Sequence, residues 1–171
     1  MNKEEKYQLL VEQVKALIEG EVDSIAIMAN ICAAIHETMG FFWTGFYRVM
    51  PIREPKHSGG QFLELAPAGS TSEELCLGPF QGPVACMHIP FGRGVCGSAW
   101  QQRQTIVVPD VEQFPGHIAC SSLSRSEIVV PLFSSDRSRV VAVLDIDSRE
   151  LATFDDIDCQ YLERICQMIP V

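Results

Sequence analysis

The chain has 171 residues, of which 47% are apolar and 20% are charged, and its formal net charge is −9. This balance is typical of a globular domain and excludes a disordered chain. The acidic net charge and the scattered Lys and Arg residues argue against a nucleic-acid partner. No apolar run reaches the ~18 residues of a transmembrane helix, and the charged N-terminal segment does not resemble a signal peptide. We therefore expect a cytoplasmic protein with no membrane partner.

The seven cysteines are the most informative part of the composition. In the cytosol most of them would be thiols, and an odd count argues against a closed framework of structural disulfides. We therefore expect some of these cysteines to undergo reversible oxidation.

The first half of the chain predicts two helices followed by strands. Apolar spacing predicts a helix over residues 4–19 and a second from Asp23 or Ser24 to Gly40, so that residues 1–40 form an N-terminal helical segment. The aromatic run 41–50 predicts a strand. Residues 62–65 and 74–77 are either the two arms of a hairpin or one interrupted strand.

The second half predicts a hairpin and a terminal helix. Residues 127–133 and 139–147 are strands joined by a short turn, and Pro131 requires an edge or a bulge because it cannot donate to a ladder. A last helix opens at Asp155 within residues 153–171. The element order predicts a single α+β domain, residues 1–171, with an antiparallel sheet covered by helices.

Between these halves, residues 82–127 have neither a helical nor a strand period, apart from a short helix near 95–102. Long loops that are neither repetitive nor highly charged are usually functional, so we predict the active-site loops here. The segment contains Cys86, Cys96 and Cys120.

Residues 92–97 match the GxGxxG pattern of dinucleotide sites. That fingerprint needs a buried strand just before it, and Pro90 breaks such a strand. We therefore predict a tight turn leading into a helix, with Cys96 in the first helical turn, where the helix dipole favours a thiolate.

The three loop cysteines have two further interpretations. With His88 and His117 they could bind zinc, although the close CxxC spacing of structural zinc sites is missing. Alternatively, Cys120 is a redox-active thiol among small residues, activated by His117, Arg125 or nearby backbone N–H groups. A second loop cysteine would then resolve its oxidised form as a disulfide.

Three carboxylates accompany these cysteines. Asp145 and Asp147 are two residues apart in an apolar strand and share one face, while Glu127 opens the partner strand. They are either solvated at the strand end or converge to hold an ammonium group, with one kept protonated as an acid.

Four blocks, GPFQGPVAC, IPFGRGVCGSAW, VVPDVEQFPGHIACSSLSRSEIVVPLF and VLDIDS, resemble the free methionine-(R)-sulfoxide reductases. These are single GAF domains that reduce unbound methionine sulfoxide. The segment 51–71 is longer than the family pattern. The resemblance implies a central antiparallel sheet with helices on one face and a loop-roofed pocket on the other.

The resemblance also implies roles for individual residues. Cys120 would attack the substrate, Cys86 would resolve it and Cys96 would be auxiliary, although the residues alone leave open whether Cys86 or Cys96 resolves first. Five further positions match substrate-binding residues, with Glu127 also the proton donor: Trp43, Tyr47, Glu127, Asp145 and Asp147.

The implied reaction passes through a sulfenic acid and an intramolecular disulfide, which thioredoxin or a similar NADPH-linked dithiol reduces. It needs no metal and no bound cofactor, and it would serve repair after oxidative stress. A non-catalytic ligand-binding or redox-sensing GAF module is the main alternative, and a zinc-binding structural protein is another. A homodimer is left open.

Overall fold

A computed structural model describes residues 1–52, 73–117 and 121–171. Its α-helices are α1 (Lys3–Ile18), α2 (Ser24–Met39), α3 (Gly94–Gln102) and α4 (Asp156–Met168). Its strands are β1 (Trp43–Pro51), β2 (Glu73–Gln81), β3 (His88–Pro90), β4 (Ile106–Val108), β5 (Ser126–Phe133) and β6 (Val140–Ser148), with a 3-10 helix at Val111–Gln113. Residues 62–65 and Cys120 lie outside the described residues.

The described strands form one six-stranded sheet in the order β3-β2-β1-β6-β5-β4, and every neighbouring pair is antiparallel. This confirms the predicted α+β class and the central antiparallel sheet. The predicted hairpin of β5 and β6 is also confirmed, because these two strands are paired along their whole length.

Three helices cover one face of this sheet. Helices α1, α2 and α4 bury their apolar stripes against one alternate set of strand residues, which includes Phe46, Ile128 and Leu144. Polar caps begin these helices: the Asp23 carboxylate accepts the N–H groups of Ile25 and Ala26, and Asp155 forms a capping box with α4. Local sequence therefore fixed the helix starts as predicted.

The other alternate set of strand residues, including Tyr47, Val129 and Val143, packs against α3. Helix α3 lies within the segment 82–127, as predicted, and forms one wall of the pocket on that face. The sheet thus separates an apolar helix-covered core from a smaller core that carries the site.

Pro131 shows how β5 accommodates a residue without an N–H donor. Strand β4 pairs only with Glu127–Val129, so Pro131 lies beyond the end of β4 although β5 is not the edge strand. A register shift between Leu132 and Phe133 follows it. Within the described residues, no helix is both long enough and apolar enough to span a membrane.

Candidate active site

The three predicted carboxylates meet in one pocket. Glu127 on β5 lies directly opposite Asp147 on β6, and Asp145 precedes Asp147 by two residues on the same face. Glu127 and Asp145 are buried, with only 5% and 7% of their surface exposed. The period of two along β6 puts Asp145 and Asp147 on one face, as predicted. Of the two possibilities left open by the sequence, solvation or convergence, the structure shows convergence.

Burial keeps protons on this cluster. Burial and then repulsion by Asp147 raise the pKa of Glu127 well above its usual range. The pKa of Asp145 is also raised well above its usual range, first by burial and then by the charges of Glu127 and Asp147. Carboxyl groups this close cannot all ionise in a site with little water. The cluster therefore offers both a protonated acid and a negative charge at neutral pH.

Asp147 is the most accessible of the three. Burial raises its pKa to about 6, against the opposing effects of a hydrogen bond from Ser124 and of the nearby His117 side chain. His117 also approaches Glu127, with Nε2 3.6 Å from Oε2. Asp147 is thus the member of the cluster that ionises near neutral pH.

One side-chain oxygen of Asp145 differs from the other polar atoms around the pocket. Among the described residues, its buried Oδ1 has no hydrogen-bond partner. Buried polar atoms are nearly always hydrogen-bonded, and each exception needs an explanation. This atom lies at the pocket, so a donor on a bound ligand would satisfy it.

The surroundings of Cys96 contradict the prediction that its side chain is a thiolate. Cys96 does lie in the first turn of α3, with Sγ 4.0 Å from Oε1 of Glu127. However, burial raises its pKa well above the usual range, and the charges of Asp145 and Glu127 raise it further. The predicted thiolate is therefore wrong, because burial and two acidic neighbours outweigh the helix dipole.

Trp43 and Tyr47 form an aromatic floor on β1. Their rings stack with centroids 5.9 Å apart. The Tyr47 hydroxyl donates to the carbonyl of Cys86 and the Trp43 Nε1–H donates to that of Pro83, each at 3.0 Å. These aromatics therefore line the pocket and also hold the loop that carries Cys86.

Gly45 makes this floor possible, which the sequence did not reveal. A Cβ at Gly45 would lie 2.2 Å from the Trp43 ring, nearer than any real contact. Only glycine lets the Trp43 ring lie across β1 here.

The glycine-rich stretch, residues 92–97, contributes another wall of the pocket. Gly92 and Gly94 have φ of +73° and +61°, and a Cβ at Gly97 would lie 2.5 Å from the Pro90 carbonyl oxygen. The predicted tight turn into a helix is therefore confirmed. Arg93 caps α3 without a side-chain cap bond, and the first turn holds no acidic residue. The first turn of α3 is buried at the pocket beside the exposed Arg93, and its partial positive charge favours a bound anion.

The remaining cysteines and histidines are placed as follows. Cys86 takes part in a disulfide, whereas residues 118–120, including Cys120, lie outside the described residues. His117 lines the pocket but His88 does not; the His88 ring lies with Glu74 and Cys76 instead. The structure therefore does not bring the two histidines of the zinc hypothesis together.

Sequence reasoning missed Ser124, and the suggested role of Arg125 beside Cys120 stays a prediction because Cys120 lies outside the described residues. Ser124 is buried, lines the pocket and hydrogen-bonds Asp147, whereas the Arg125 side chain is exposed. The polar run around them, SSLSRSE, signalled donors near the carboxylates but could not say which residue faces inward.

Comparison with known proteins agrees with this geometry. A model of the GAF domain matches residues 23–170. The chain is 48% identical to GAF domain-containing protein A of Dictyostelium discoideum, over 98% of this chain and 92% of that protein. It is 40% identical to the free methionine-R-sulfoxide reductase of Escherichia coli, over 96% of this chain and 87% of that protein.

A solved structure gives the same result. Free methionine-R-sulfoxide reductase from Neisseria meningitidis, in complex with its substrate, superposes with a TM-score of 0.82 at 44% identity. The match covers 99% of this chain and 89% of that one. The chain therefore belongs to the GAF domain family and, within it, to the free methionine-R-sulfoxide reductases, which confirms the resemblance seen in the sequence.

Proposed function

We propose that this protein reduces free L-methionine-(R)-sulfoxide to methionine. The observation that carries the proposal is the buried Oδ1 of Asp145, which has no hydrogen-bond partner within the described residues and belongs to a cluster of three carboxylates. The names of the relatives agree with this substrate.

The pocket has the charge distribution of an amino-acid site. Its lining contains the three carboxylates and also Arg93 with the first turn of α3. We place the substrate ammonium against Asp145 and Asp147 and its carboxylate at α3, while the side chain lies on Trp43 and Tyr47. A peptide-bound residue lacks that ammonium and would leave the carboxylates unpaired, so it would be strongly rejected.

In the proposed first step, the Cys120 thiolate attacks the sulfoxide sulfur. Glu127, whose pKa is raised by burial, donates a proton to the sulfoxide oxygen. Methionine then leaves, and Cys120 retains the oxygen as a sulfenic acid.

In the second step the Cys86 thiol condenses with the sulfenic acid, forming a disulfide and releasing water. The net change is one sulfoxide and two thiols converted to one thioether, one disulfide and one water. The disulfide of Cys86 in the structure supports this step. Cys96 remains auxiliary as a neutral thiol beside Glu127, and the steps use no metal and no bound cofactor.

An external dithiol of the thioredoxin type would then reduce the disulfide by exchange. Val84 and Met87, on either side of Cys86, are 87% and 69% exposed. Exposed apolar residues beside a disulfide suit the docking of a protein reductant. We further propose a single GAF domain, residues 1–171, working in the cytoplasm.

The test is one turnover without reductant. Fully reduced protein receives free L-methionine-(R)-sulfoxide, and thiols are counted and disulfides mapped by mass spectrometry. We expect two of the seven thiols to be lost, a Cys86–Cys120 link and one methionine per chain. The (S)-sulfoxide and an N-acetylated sulfoxide should leave all thiols intact.

Matched variants complete this experiment. Cys120→Ser should release no methionine, and Cys86→Ser should release methionine but form no Cys86 link. Cys159→Ser, on α4 away from the pocket, should behave like the wild type. A Cys96–Cys120 link would reassign the resolving cysteine, and survival of all seven thiols would instead favour a non-catalytic module.

A further inference from the structure

A second group of metal-ligating side chains lies at the outer edge of the sheet, on β2 and β3. Glu74 and Cys76 are two residues apart on β2, and His88 on β3 lies directly opposite Cys76. The intervening Leu75 and its partner Ile89 are buried in the pocket-side core. Because neighbours alternate along a strand, the three ligating side chains share the opposite face.

The distances within this group match those of a coordination shell. Nδ1 of His88 is 3.0 Å from Oε1 of Glu74. The Cys76 sulfur is 3.5 Å from Nδ1 of His88 and 3.8 Å from Oε1 of Glu74. Ligands about 2.0–2.3 Å from a tetrahedral zinc ion lie about 3.3–3.6 Å from one another. An ion could therefore enter with shifts of only a few tenths of an ångström.

The donor set selects the type of ion. A thiolate and an imidazole suit zinc and related transition metals, whereas magnesium and calcium prefer oxygen ligands. Within the described residues three side chains would ligate the ion, which leaves a fourth tetrahedral position open. The His88 side chain is 60% exposed, so the site is accessible.

The local charge also favours a cation. Glu74 and a Cys76 thiolate supply two negative charges. Cysteine ligates metals as the thiolate, so Cys76 would release its proton when the ion binds, and with Arg48 opposite it on β1 the group would then carry one net negative charge.

We propose that Glu74, Cys76 and His88 form a binding site for a thiophilic divalent cation, with Zn²⁺ as the best match. The bound ion would link the short strand β3 to β2. Strand β3 follows the loop that carries Cys86, so the ion would also hold the end of that loop. This proposal is independent of the proposed reductase activity, because none of the three residues lines the pocket.

The other group of possible metal ligands in the described residues, Cys96 with Glu127 and Asp145, provides the internal control. It is fully buried, lacks a histidine and belongs to the active site. A zinc ion that preferred that group would be lost on substitution of Cys96 and not of Cys76.

The test uses the full chain with the Cys86 disulfide intact, treated with a chelator and then dialysed. Zinc is titrated against a chromophoric chelator, and Co²⁺ is added separately to observe thiolate-to-metal charge transfer. We expect one zinc ion per chain, a thiolate charge-transfer band with cobalt, and a zinc-dependent rise in Tm.

Variants locate the ion. Cys76→Ser and His88→Gln should each weaken zinc binding by at least about 100-fold, more than loss of an outer-shell partner would cost. Glu74→Gln should weaken it less, and Cys96→Ser and Cys159→Ser should leave it unchanged. Absence of micromolar binding, or binding that survives in the Cys76→Ser/His88→Gln double variant, would overturn the proposal.

Discussion

Asp158 and Asp145 are buried carboxylates on opposite sides of the sheet, and they differ in the hydrogen-bond partners that surround them. Asp158 on α4 is completely buried. It accepts hydrogen bonds from the Tyr7 hydroxyl at 2.7 Å and from Lys3 Nζ at 2.6 Å, and its Oδ2 accepts the backbone N–H of Asp155 at 2.8 Å. Helix α1 thus supplies this charge with partners from the far end of the sequence.

Asp145 on β6 is almost as buried, but its neighbours are Glu127, Asp147 and the neutral thiol of Cys96. One of its oxygens has no partner among the described residues.

The difference separates a structural charge from a functional one. A buried charge with every partner present ties elements together, whereas a buried carboxylate left incomplete costs stability and persists when a ligand completes it. The pKa directions agree. Hydrogen bonds and charges from Asp158 and Asp155 outweigh burial and raise the pKa of Lys3, stabilising its ammonium form, while burial raises the pKa of Asp145 and opposes its charge.

The largest expected effect on stability is at Asp158. Asp158→Ala should lower the free energy of unfolding by about 3–5 kcal/mol, because Tyr7 and Lys3 lose their buried partner. Urea unfolding measures this, and kcat/KM below the transition should stay near the wild-type value. Asp156→Ala, an exposed change in the same helical turn, is the control. A large loss of kcat/KM without a loss of stability would show that Asp158 acts in function and not in the fold.

At Asp145 we expect the opposite result, a loss of activity without a loss of stability. Asp145→Asn should lower kcat/KM for free methionine sulfoxide about 100-fold, because the substrate ammonium loses a buried charge partner. Urea unfolding should show nearly unchanged stability, because burial and two acidic neighbours raise the pKa of Asp145 and the amide then replaces a neutral carboxyl group. The exposed Glu112→Gln change should alter neither quantity. An Asp145→Asn variant that unfolds easily and keeps its kinetics would assign Asp145 to the fold.

A smaller, pH-dependent effect on activity and stability is expected at Asp147. With a pKa of about 6, its charge is lost as pH falls through 6, so kcat/KM should fall there and Asp147→Asn should remove that step. The raised pKa means that the folded state binds the proton more tightly than the unfolded chain does. The stability this provides is present below about pH 4 and is lost as pH rises through 6.

Asp147→Asn should therefore raise the free energy of unfolding at pH 7 by up to about 3 kcal/mol and change it little at pH 4. Urea unfolding at the two pH values measures this difference. Equal stabilisation at both values would show that ionisation of Asp147 does not oppose folding.

The sequence by itself determined the parts of this protein that depend on local rules. Capping residues fixed the helix starts at Asp23 and Asp155, and the period of two placed Asp145 and Asp147 on one face. Pro90 and the glycines after it predicted a turn into a helix rather than a nucleotide site. These features require only neighbours along the chain.

Tertiary structure decided the chemistry of each group, because burial and distant neighbours set it. Cys96 is in the predicted helical turn, yet strands β5 and β6 surround it with acids and raise its pKa. Glycine is needed at position 45 because the Trp43 ring occupies the space that a Cβ would fill. Strand register brought Glu74, Cys76 and His88 together, and no spacing in the sequence encodes that register, since it depends on how two strands align in the sheet.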